Sequence, residues 1–297
     1  MSKISRIAAH PLQALSNYVL RQRPEWFFRQ NAQRLESLGI SKPTAVLSFD
    51  CDTVEDARVA GEVHSRLSSL GIKLTYAVPG RLLHENNESY SEILKSGGEF
   101  INHGGNRHTD FDPLTQRHFS TNFYDQIGKE MVLSDFLLGH NLVSEFCGVP
   151  PLGFRSPHFG TFSSKRNLTF IHSLAREIGY TYSSSSTPYW SFRWGPLSRR
   201  DGLTEIPVSG RSTSPLTILD SWSAFASPRP SLSPSRYFDE LDGWVNAANS
   251  FGPVLLNIYA DPSHIYDQPL FFSAVEHVSN TFSFSTLGDL ARVLRDE

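Results

Sequence analysis

Two aspartates flank a cysteine at the end of the apolar run "AVLSFDCDT", which is typical of a buried strand. Side chains alternate faces along a strand, so Asp50 and Asp52 are predicted to share one face while Cys51 enters the core. Two neighbouring carboxylates ionise together only where a cation or a hydrogen-bond donor compensates one of them. In the alternative interpretation, Asp52 caps the following helix and Asp50 faces solvent. The acid pair alone favours neither interpretation.

Two histidines make a metal site the better interpretation. In "GEFINHGGNRHTDF", His103 ends another predicted strand and His108 follows five residues later in a glycine-bearing loop. Neutral imidazole is a common zinc ligand, and one carboxylate with two histidines leaves positions open for water and substrate. The chain has only two cysteines, Cys51 and Cys147, so neither a disulfide framework nor a cysteine-rich zinc module is expected. The histidines predicted to be surface or core residues with no role are His64, His84, His118, His140, His172 and His277.

Three later segments place further polar and aromatic residues at predicted strand ends. In "GFRSPHFG", Arg155 could fix a neighbouring carboxylate by two hydrogen bonds and keep it ionised. In "LTILDSWSAF", Asp220 could orient a cation or an imidazole, and Trp222 could stack on a sugar face. The third segment is "VLLNIYADPSHI". The remaining candidates in these segments are His158, Tyr259, Asp261 and His264.

Short apolar runs alternate along the chain with longer segments of helical period, which is typical of βα units around a parallel sheet or barrel. Residues 1–43 are predicted to form a helical extension with Trp26, Phe27 and Phe28 as its docking edge, and residues 44–297 to form the main domain. The stretch "SWSAFASPRPSLSPSRY" is predicted to be one long loop. The segments predicted as strands are 45–49, 73–78, 98–103, 152–154, 180–184, 216–220, 253–260 and 281–285.

Composition excludes several classes of function. Of 297 residues, 39% are hydrophobic and 19% charged, and the net charge of -3 provides no basic field for nucleic acid. No apolar run is long enough for a membrane span, and the start "MSKISRIAAHPLQALSNYVL" is unlike a secretory signal, so a cytoplasmic location is expected. The N-terminal helices could still contact a membrane surface peripherally or an oligomeric partner.

The order of the motifs resembles that of a known family. The strings "SFDCDT", "NHGGNRH", "FRSPHFG", "LDSWS" and "LLNIYADP" are similar to the five successive motifs of the polysaccharide deacetylases (NodB-homology, carbohydrate esterase family 4), over roughly residues 44–294. The resemblance implies an α/β fold, an irregular (β/α) barrel. It also implies a hydrolase that removes an N-acetyl or related N-acyl group, commonly from an amino sugar. The implied cofactor is one divalent metal ion, usually zinc, with cobalt, nickel or manganese as alternatives.

The resemblance further implies roles for individual residues. Asp50 matches the general base of the family, while Asp52 and His103 match metal ligands. The second histidine ligand of the family normally comes four residues after the first, where this chain has Arg107. We prefer His108, because it begins the string "HTDF", similar to the "H-x-D-F" that often follows in family members, with one residue inserted.

The third and fourth motifs match with one change. Arg155 matches the arginine that orients the base, and His158 stands where many members have tyrosine, at a position whose backbone N–H helps to form an oxyanion hole. Asp220, a predicted catalytic residue, and Trp222, a predicted substrate contact, match the fourth motif. Tyr259 is placed with the substrate-binding residues.

The fifth motif departs from the family. A histidine that acts as general acid is expected there before a proline or a hydrophobic residue, and this chain has Asp261 before Pro262. A carboxyl group donates a proton only if burial or acidic neighbours raise its pKa. His264, three residues on, is the other predicted donor, and Asp261 then contacts substrate.

The resemblance therefore implies a metal-dependent bacterial amidohydrolase that deacylates an amino sugar, such as an intracellular precursor of O-antigen or another surface polysaccharide. A non-sugar amide, such as a formamide or a ureide, is the alternative substrate. Two other classes of function remain open. The changed second and fifth motifs fit a sugar-binding scaffold that has lost its chemistry, and "DCD" fits the D-x-D of metal-dependent glycosyltransferases.

Overall fold

The computed structural model describes residues 11–115 and 117–294. In chain order, the strands of this part are β1 (Thr44–Asp50), β2 (Leu74–Val78), β3 (Glu99–Asn102), β4 (Thr109–Asp112), β5 (Arg117–Ser120), β6 (Gly153–Phe154), β7 (Tyr182–Ser183), β8 (Ser198–Arg200), β9 (Leu203–Glu205), β10 (Gly210–Arg211), β11 (Ser214–Ile218), β12 (Leu255–Ala260) and β13 (Ser283–Phe284). The helices are α1 (Pro11–Gln22), α2 (Pro24–Ser37), α3 (Val54–Ser68), α4 (Gly80–Glu85), α5 (Asn87–Lys95), α6 (Lys129–Cys147), α7 (Lys165–Glu177), α8 (Pro188–Trp194), α9 (Pro234–Phe251), α10 (Pro262–Ile265), α11 (Pro269–Ser279) and α12 (Leu287–Arg292).

A nine-stranded sheet in the order β12-β1-β2-β3-β6-β7-β9-β8, with β13 also paired to β1, forms the centre of the fold. All of its strand pairs are parallel except β8 with β9. The sheet is curled, and the segment after β9 reaches β12 at its other edge, where the Ser209 N–H donates to the Asn257 carbonyl at 2.9 Å. The Asn257 side chain also donates to the carbonyls of Ile206 and Pro207. The predicted α/β fold, an irregular (β/α) barrel, is confirmed.

Strand β1 and helix α3 show why the acid pair lies at the edge of the barrel. Strand β1 is buried on both faces, as expected for a parallel strand covered by helices, and its last residue is Asp50. Cys51 is fully buried, as predicted. Thr53 caps helix α3 in a capping box with Asp56, in which each side chain accepts a hydrogen bond from the other's backbone N–H. Asp52 is therefore not the helix cap.

Several predicted elements differ from the observed ones. Residues 216–220 do not form a barrel strand; β11 pairs with β10 in a separate antiparallel ribbon, and a single bridge joins Asp220 to Tyr259. The predicted long loop contains a π-helical turn, Trp222–Ala226, and the first turn of α9. Strands β8 and β9 and the antiparallel hairpin β4–β5 were not predicted, because each has only three or four residues.

The N-terminal helices pack on the outer side of the barrel. Phe28 lies edge-on to Trp244 with ring centroids 4.9 Å apart, and Phe27 packs beside it. The helical period turns Trp26 outward, so the prediction that it joins the docking edge was wrong. The division at residues 43 and 44 stays a prediction, and residues 1–10 and 295–297 lie outside the described part. Among the described helices, none combines the length and the apolar character that a membrane span requires.

Candidate metal centre

Three side chains that follow strands β1 and β3, the two strands on either side of β2, converge at the mouth of the barrel. Asp52 follows β1, while His103 and His108 follow β3. The Oδ1 atom of Asp52 lies 3.5 Å from His103 Nε2 and 3.6 Å from His108 Nδ1. One ligand atom from each residue lies within 4.8 Å of the others. This spacing is that of ligands around one small cation.

The donor set fits a divalent metal ion. Asp52 Oδ1, His103 Nε2 and both ring nitrogens of His108 are buried and have no hydrogen-bond partner. Buried polar atoms are normally paired, so four such atoms in one cluster indicate a ligand-binding site. His103 Nδ1 lies 2.8 Å from the Arg155 carbonyl, to which it donates, and this leaves the Nε2 lone pair free for a metal. One carboxylate and two imidazoles are ligands that zinc prefers.

The ionisation of Asp52 fits a bound cation. Burial raises the pKa of Asp52, but the two nearby imidazoles outweigh it and hold the pKa of that carboxyl below its ordinary value. Burial lowers the pKa of His108 below its ordinary value. Burial also acts to lower the pKa of His103, but the charges of Asp50 and Asp52 raise it. Asp52 is therefore ionised at neutral pH and able to bind a cation.

The loop that carries His108 is held by Asp135 of helix α6. Asp135 accepts hydrogen bonds from the Asn106 backbone and side chain and from the Tyr124 hydroxyl. Gly104 has φ +81°, and a Cβ there would lie 3.0 Å from His108 Nε2 and closer still to Tyr124 and Asp135. Only glycine therefore fits this turn. Sequence reasoning missed Asp135, which has no local pattern to mark it.

Arg107 points away from the cluster. It forms an ion pair with Glu85 at the surface, while His108 is fully buried. The one-residue change in spacing therefore turns His108 inward. Whether His108 coordinates a metal stays a prediction, but the position of its side chain is the one that the "HTDF" string suggested.

Asp50 lies beside the triad in a buried ion pair. Arg155 Nη1 donates to Asp50 Oδ1 at 2.7 Å, and Arg155 Nη2 donates to the hydroxyls of Ser48 and Ser184. The other carboxylate oxygen of Asp50 lies 4.0 Å from His103 Nε2. Arg155 is fully buried, so the pair is poorly screened by solvent. One oxygen of Asp50 is thus fixed by Arg155 and the other faces the cluster.

The residues of the fifth motif follow strand β12, the neighbour of β1, in which Ala260 pairs with Phe49. Asp261 Oδ2 is 3.4 Å from His264 Nδ1. Ser221 Oγ accepts the Asp261 backbone N–H at 3.0 Å, so its hydroxyl hydrogen is free to donate to His264 Nδ1 at 3.1 Å. Burial and the charge of Asp56 raise the pKa of Asp261 well above its usual range. Burial lowers the pKa of His264 to about 4.

Asp220 is placed differently from the prediction. Its carboxylate accepts hydrogen bonds from the backbone and hydroxyl of Ser223 at the start of the π-helical turn. The contact to the imidazole of His264 comes instead from Ser221, which sequence reasoning missed. Trp222 is half exposed, with its ring centroid 5.6 Å from that of His264. Asp220 therefore supports the turn that carries Ser221 and Trp222.

The last two predicted substrate contacts also border the mouth. His158 has φ +55°, a strained conformation for a residue with a side chain. Its Nε2–H donates to the Thr121 carbonyl at 2.7 Å, and its ring lies edge-on to His108. Tyr259 packs against Phe159, with ring centroids 4.7 Å apart. The predicted site residues thus lie around the mouth of the barrel, except that the Asp220 carboxylate is bound into the supporting turn, and the roles of all of them stay predictions.

Solved structures share this fold. A protein assigned as a polysaccharide deacetylase from Mycobacterium smegmatis superposes with a TM-score of 0.61 at 18% identity, covering 86% of this chain and 91% of that chain. One from Pseudomonas aeruginosa PAO1 has a TM-score of 0.57 at 14% identity, over 87% and 93%. The chain therefore has the fold of the polysaccharide deacetylases, as the five motifs suggested. The allantoinase PuuE has a TM-score of 0.58 at 10% identity, over 86% and 91%. No protein-family model and no curated protein matches the sequence.

Proposed function

We propose that this protein is a metal-dependent deacetylase that removes an N-acetyl or related N-acyl group from an amino sugar. The observation that carries the proposal is the cluster of unpartnered, buried ligand atoms on Asp52, His103 and His108, set beside the Asp50–Arg155 pair. A fold shared with assigned polysaccharide deacetylases supports the substrate class.

Asp52, His103 and His108 would hold one divalent ion, with zinc favoured by the ligand types. When bound, such an ion supplies Lewis-acid polarisation of an acyl oxygen and a lowered pKa for water. A ligand set made only of histidine and aspartate can also bind cobalt, nickel or manganese.

Asp50 accepts the proton of the attacking water. Its free oxygen faces the cluster, and Arg155 holds the other oxygen, so the acceptor atom is fixed in position. The backbone N–H of His158 is the proposed donor to the developing oxyanion. The contact between the His158 ring and the Thr121 carbonyl keeps the strained turn in place.

We favour Asp261 over His264 as the donor to the departing amine. With a pKa of about 4, His264 is neutral at pH 7, and a neutral imidazole is a very weak acid. Burial and neighbouring acids raise the pKa of Asp261, which favours the protonated carboxyl that a proton donor requires. His264 and Ser221 then position Asp261, and the chemistry does not require the histidine that the family carries at this place.

The test is release of acetate from a panel of N-acetylated sugars, with allantoin as the ureide alternative, by protein loaded with zinc. Asp50→Asn is expected to abolish turnover while the metal is retained, because the proton acceptor is lost and the ligands remain. Full activity of Asp50→Asn would contradict its role as base. Hydrolysis of allantoin without release of acetate from any sugar would contradict the amino-sugar substrate and assign a ureide instead.

A second comparison identifies the acid. Asp261→Asn is expected to lower kcat by about 10²-fold or more, the usual contribution of a positioned acid. His264→Gln is expected to have a smaller effect, and the reverse order would assign the proton to His264.

A further inference from the structure

Helix α1 carries a stripe of exposed apolar side chains. Leu12, Leu15 and Tyr18 are spaced by three residues, so they are neighbours on the helix surface. Their exposed fractions are 68%, 60% and 66%. Single exposed apolar residues are common on protein surfaces, but a contiguous group of large ones marks an interaction site. We call these three residues the α1 stripe.

The contacts of helix α1 with the barrel lie on its other side. Leu20 is buried in the core, and it lies five residues after Leu15, which is about 140° around the helix. Arg21 Nε donates to the hydroxyl of Ser214 in strand β11 at 2.8 Å. These contacts hold α1 on the β10–β11 ribbon with the α1 stripe turned outward.

Helix α2 adds an exposed indole and a cation a few residues further along the chain. Only Arg23 separates α1 from α2, and Trp26, the third residue of α2, is 56% exposed. Arg29 is also exposed, and it lies three residues after Trp26 on the same face of α2. An indole has an apolar ring and a polar N–H, and tryptophan is therefore enriched where a membrane meets water.

The charge of this part of the chain differs from that of the rest. Residues 11–37 contain four arginines and two glutamates, which gives a net charge of +2. The whole chain has a net charge of -3, so the remaining residues carry a net charge of -5. An anionic lipid surface attracts the first part and repels the second, which orients the protein with helices α1 and α2 toward that surface.

The size of the apolar surface favours a lipid bilayer over a second copy of the chain. The α1 stripe and Trp26 together expose on the order of 500 Å² of side chain. A stable dimer buries about 800 Å² on each partner, which is more than this surface provides. A bilayer requires no matching partner surface, because each apolar side chain that leaves water adds to binding by itself. Leucine and aromatic residues on one face with arginines nearby are typical of helices that lie in the membrane interface.

We propose that helices α1 and α2 dock this protein on an anionic lipid bilayer. The α1 stripe and Trp26 enter the headgroup region, and the neighbouring arginines contact lipid phosphates. The helices lie on the membrane surface and do not cross it. This inference goes beyond the proposed function and does not depend on it, because no residue of the metal cluster takes part.

Sedimentation with lipid vesicles tests the docking. The full chain is expected to bind vesicles that mix phosphatidylcholine with phosphatidylglycerol, and to bind them more weakly at higher salt, because salt screens the arginines. Leu15→Ser is expected to weaken this binding about tenfold, since one inserted leucine is lost. Leu270→Ser is the matched control, because Leu270 is an exposed leucine of helix α11, and it is expected to bind like the wild type.

A second pair of variants tests the charge. Arg29→Gln is expected to weaken binding to the mixed vesicles about fivefold and to leave binding to phosphatidylcholine alone unchanged, because it removes the attraction to anionic lipid. Arg66→Gln in helix α3 is the matched control, since Arg66 is an exposed arginine that lies over the Phe272 ring as Arg29 lies over the Phe251 ring. This control is expected to bind both kinds of vesicle like the wild type.

The vesicle assay is independent of turnover. If no sugar in the panel releases acetate but the wild type binds the mixed vesicles and Leu15→Ser does not, the proposed function fails and the docking surface stands. Absence of binding to the mixed vesicles, or equal binding by Leu15→Ser and Leu270→Ser, would overturn the docking surface. A doubled mass in solution that Leu15→Ser abolishes would assign the α1 stripe to a second copy of the chain and would also overturn it.

Discussion

Replacement of Arg155 by methionine tests whether the buried Asp50–Arg155 ion pair stabilises the folded protein. Arg155 is fully buried and holds Asp50 Oδ1 at 2.7 Å, with further hydrogen bonds to Ser48 and Ser184. Arg155→Met leaves the Asp50 carboxylate without its cation in a site that water scarcely reaches. Breaking a buried ion pair by removing one partner costs about 3–5 kcal/mol.

The expected loss is large enough to measure in thermal unfolding. At roughly 2 °C per kcal/mol for a chain of this size, the Tm is expected to fall by roughly 6–10 °C. The measurement is made with a chelator present, so that no ion compensates Asp50. Arg199→Met is the control, since Arg199 is an exposed arginine of the same sheet, and its effect is expected to stay within about 0.5 kcal/mol.

A double-mutant cycle separates the ion pair from the packing of Arg155. Asp50→Asn removes the charge that Arg155→Met would leave unpaired. The double variant is therefore expected to lose less stability than the sum of the two single variants, by about 1–3 kcal/mol. Additive losses within about 0.5 kcal/mol, or a loss below about 1 kcal/mol for Arg155→Met, would refute the reasoning.

Two other predictions concern residues outside the metal cluster and the Asp50–Arg155 pair. Burial acts to lower the pKa of His172, but its hydrogen bond to Glu205 raises it above the ordinary value of 6.5. The protonated form of His172 therefore stabilises the fold. The Tm difference between the wild type and His172→Gln should be largest below pH 6.5 and should shrink as the pH rises through the folded-state pKa of His172. A Tm difference that does not change with pH would contradict this. In helix α6, a Cβ at Gly139 would collide with the backbone of Gly104, so Gly139→Ala should destabilise the protein and weaken zinc binding. Gly61→Ala in helix α3 is the control, because its added Cβ meets open space, and it should stabilise the protein by about 0.5–1 kcal/mol. Equal unfolding free energies for Gly139→Ala and Gly61→Ala would contradict the packing argument.

The acid pair and the histidines could be predicted because their signals are local. Strand alternation places Asp50 and Asp52 on one side and Cys51 on the other, and this alternation can be read from nine residues of sequence. The burial of Arg155 was not visible, because its partners Ser48 and Ser184 are distant in sequence and carry no pattern.

The short elements could not be predicted for a different reason. Strands β8 and β9 have three residues each, too few to show a period of two. The hairpin β4–β5 follows His108 as a polar segment, and its pairing depends on contacts that only the folded chain provides.

Metal content measured on purified protein tests the central claim most directly. After dialysis against zinc and then against metal-free buffer, the wild type is expected to retain one divalent ion per chain. His103→Ala and His108→Ala are each expected to lose it, because each removes a buried, otherwise unpartnered ligand nitrogen. His64→Ala is the control, since His64 is a buried histidine bonded to Tyr76 and Ser96 away from the cluster. Zinc retained by both ligand variants, or absent from the wild type, would contradict the assignment of a metal centre.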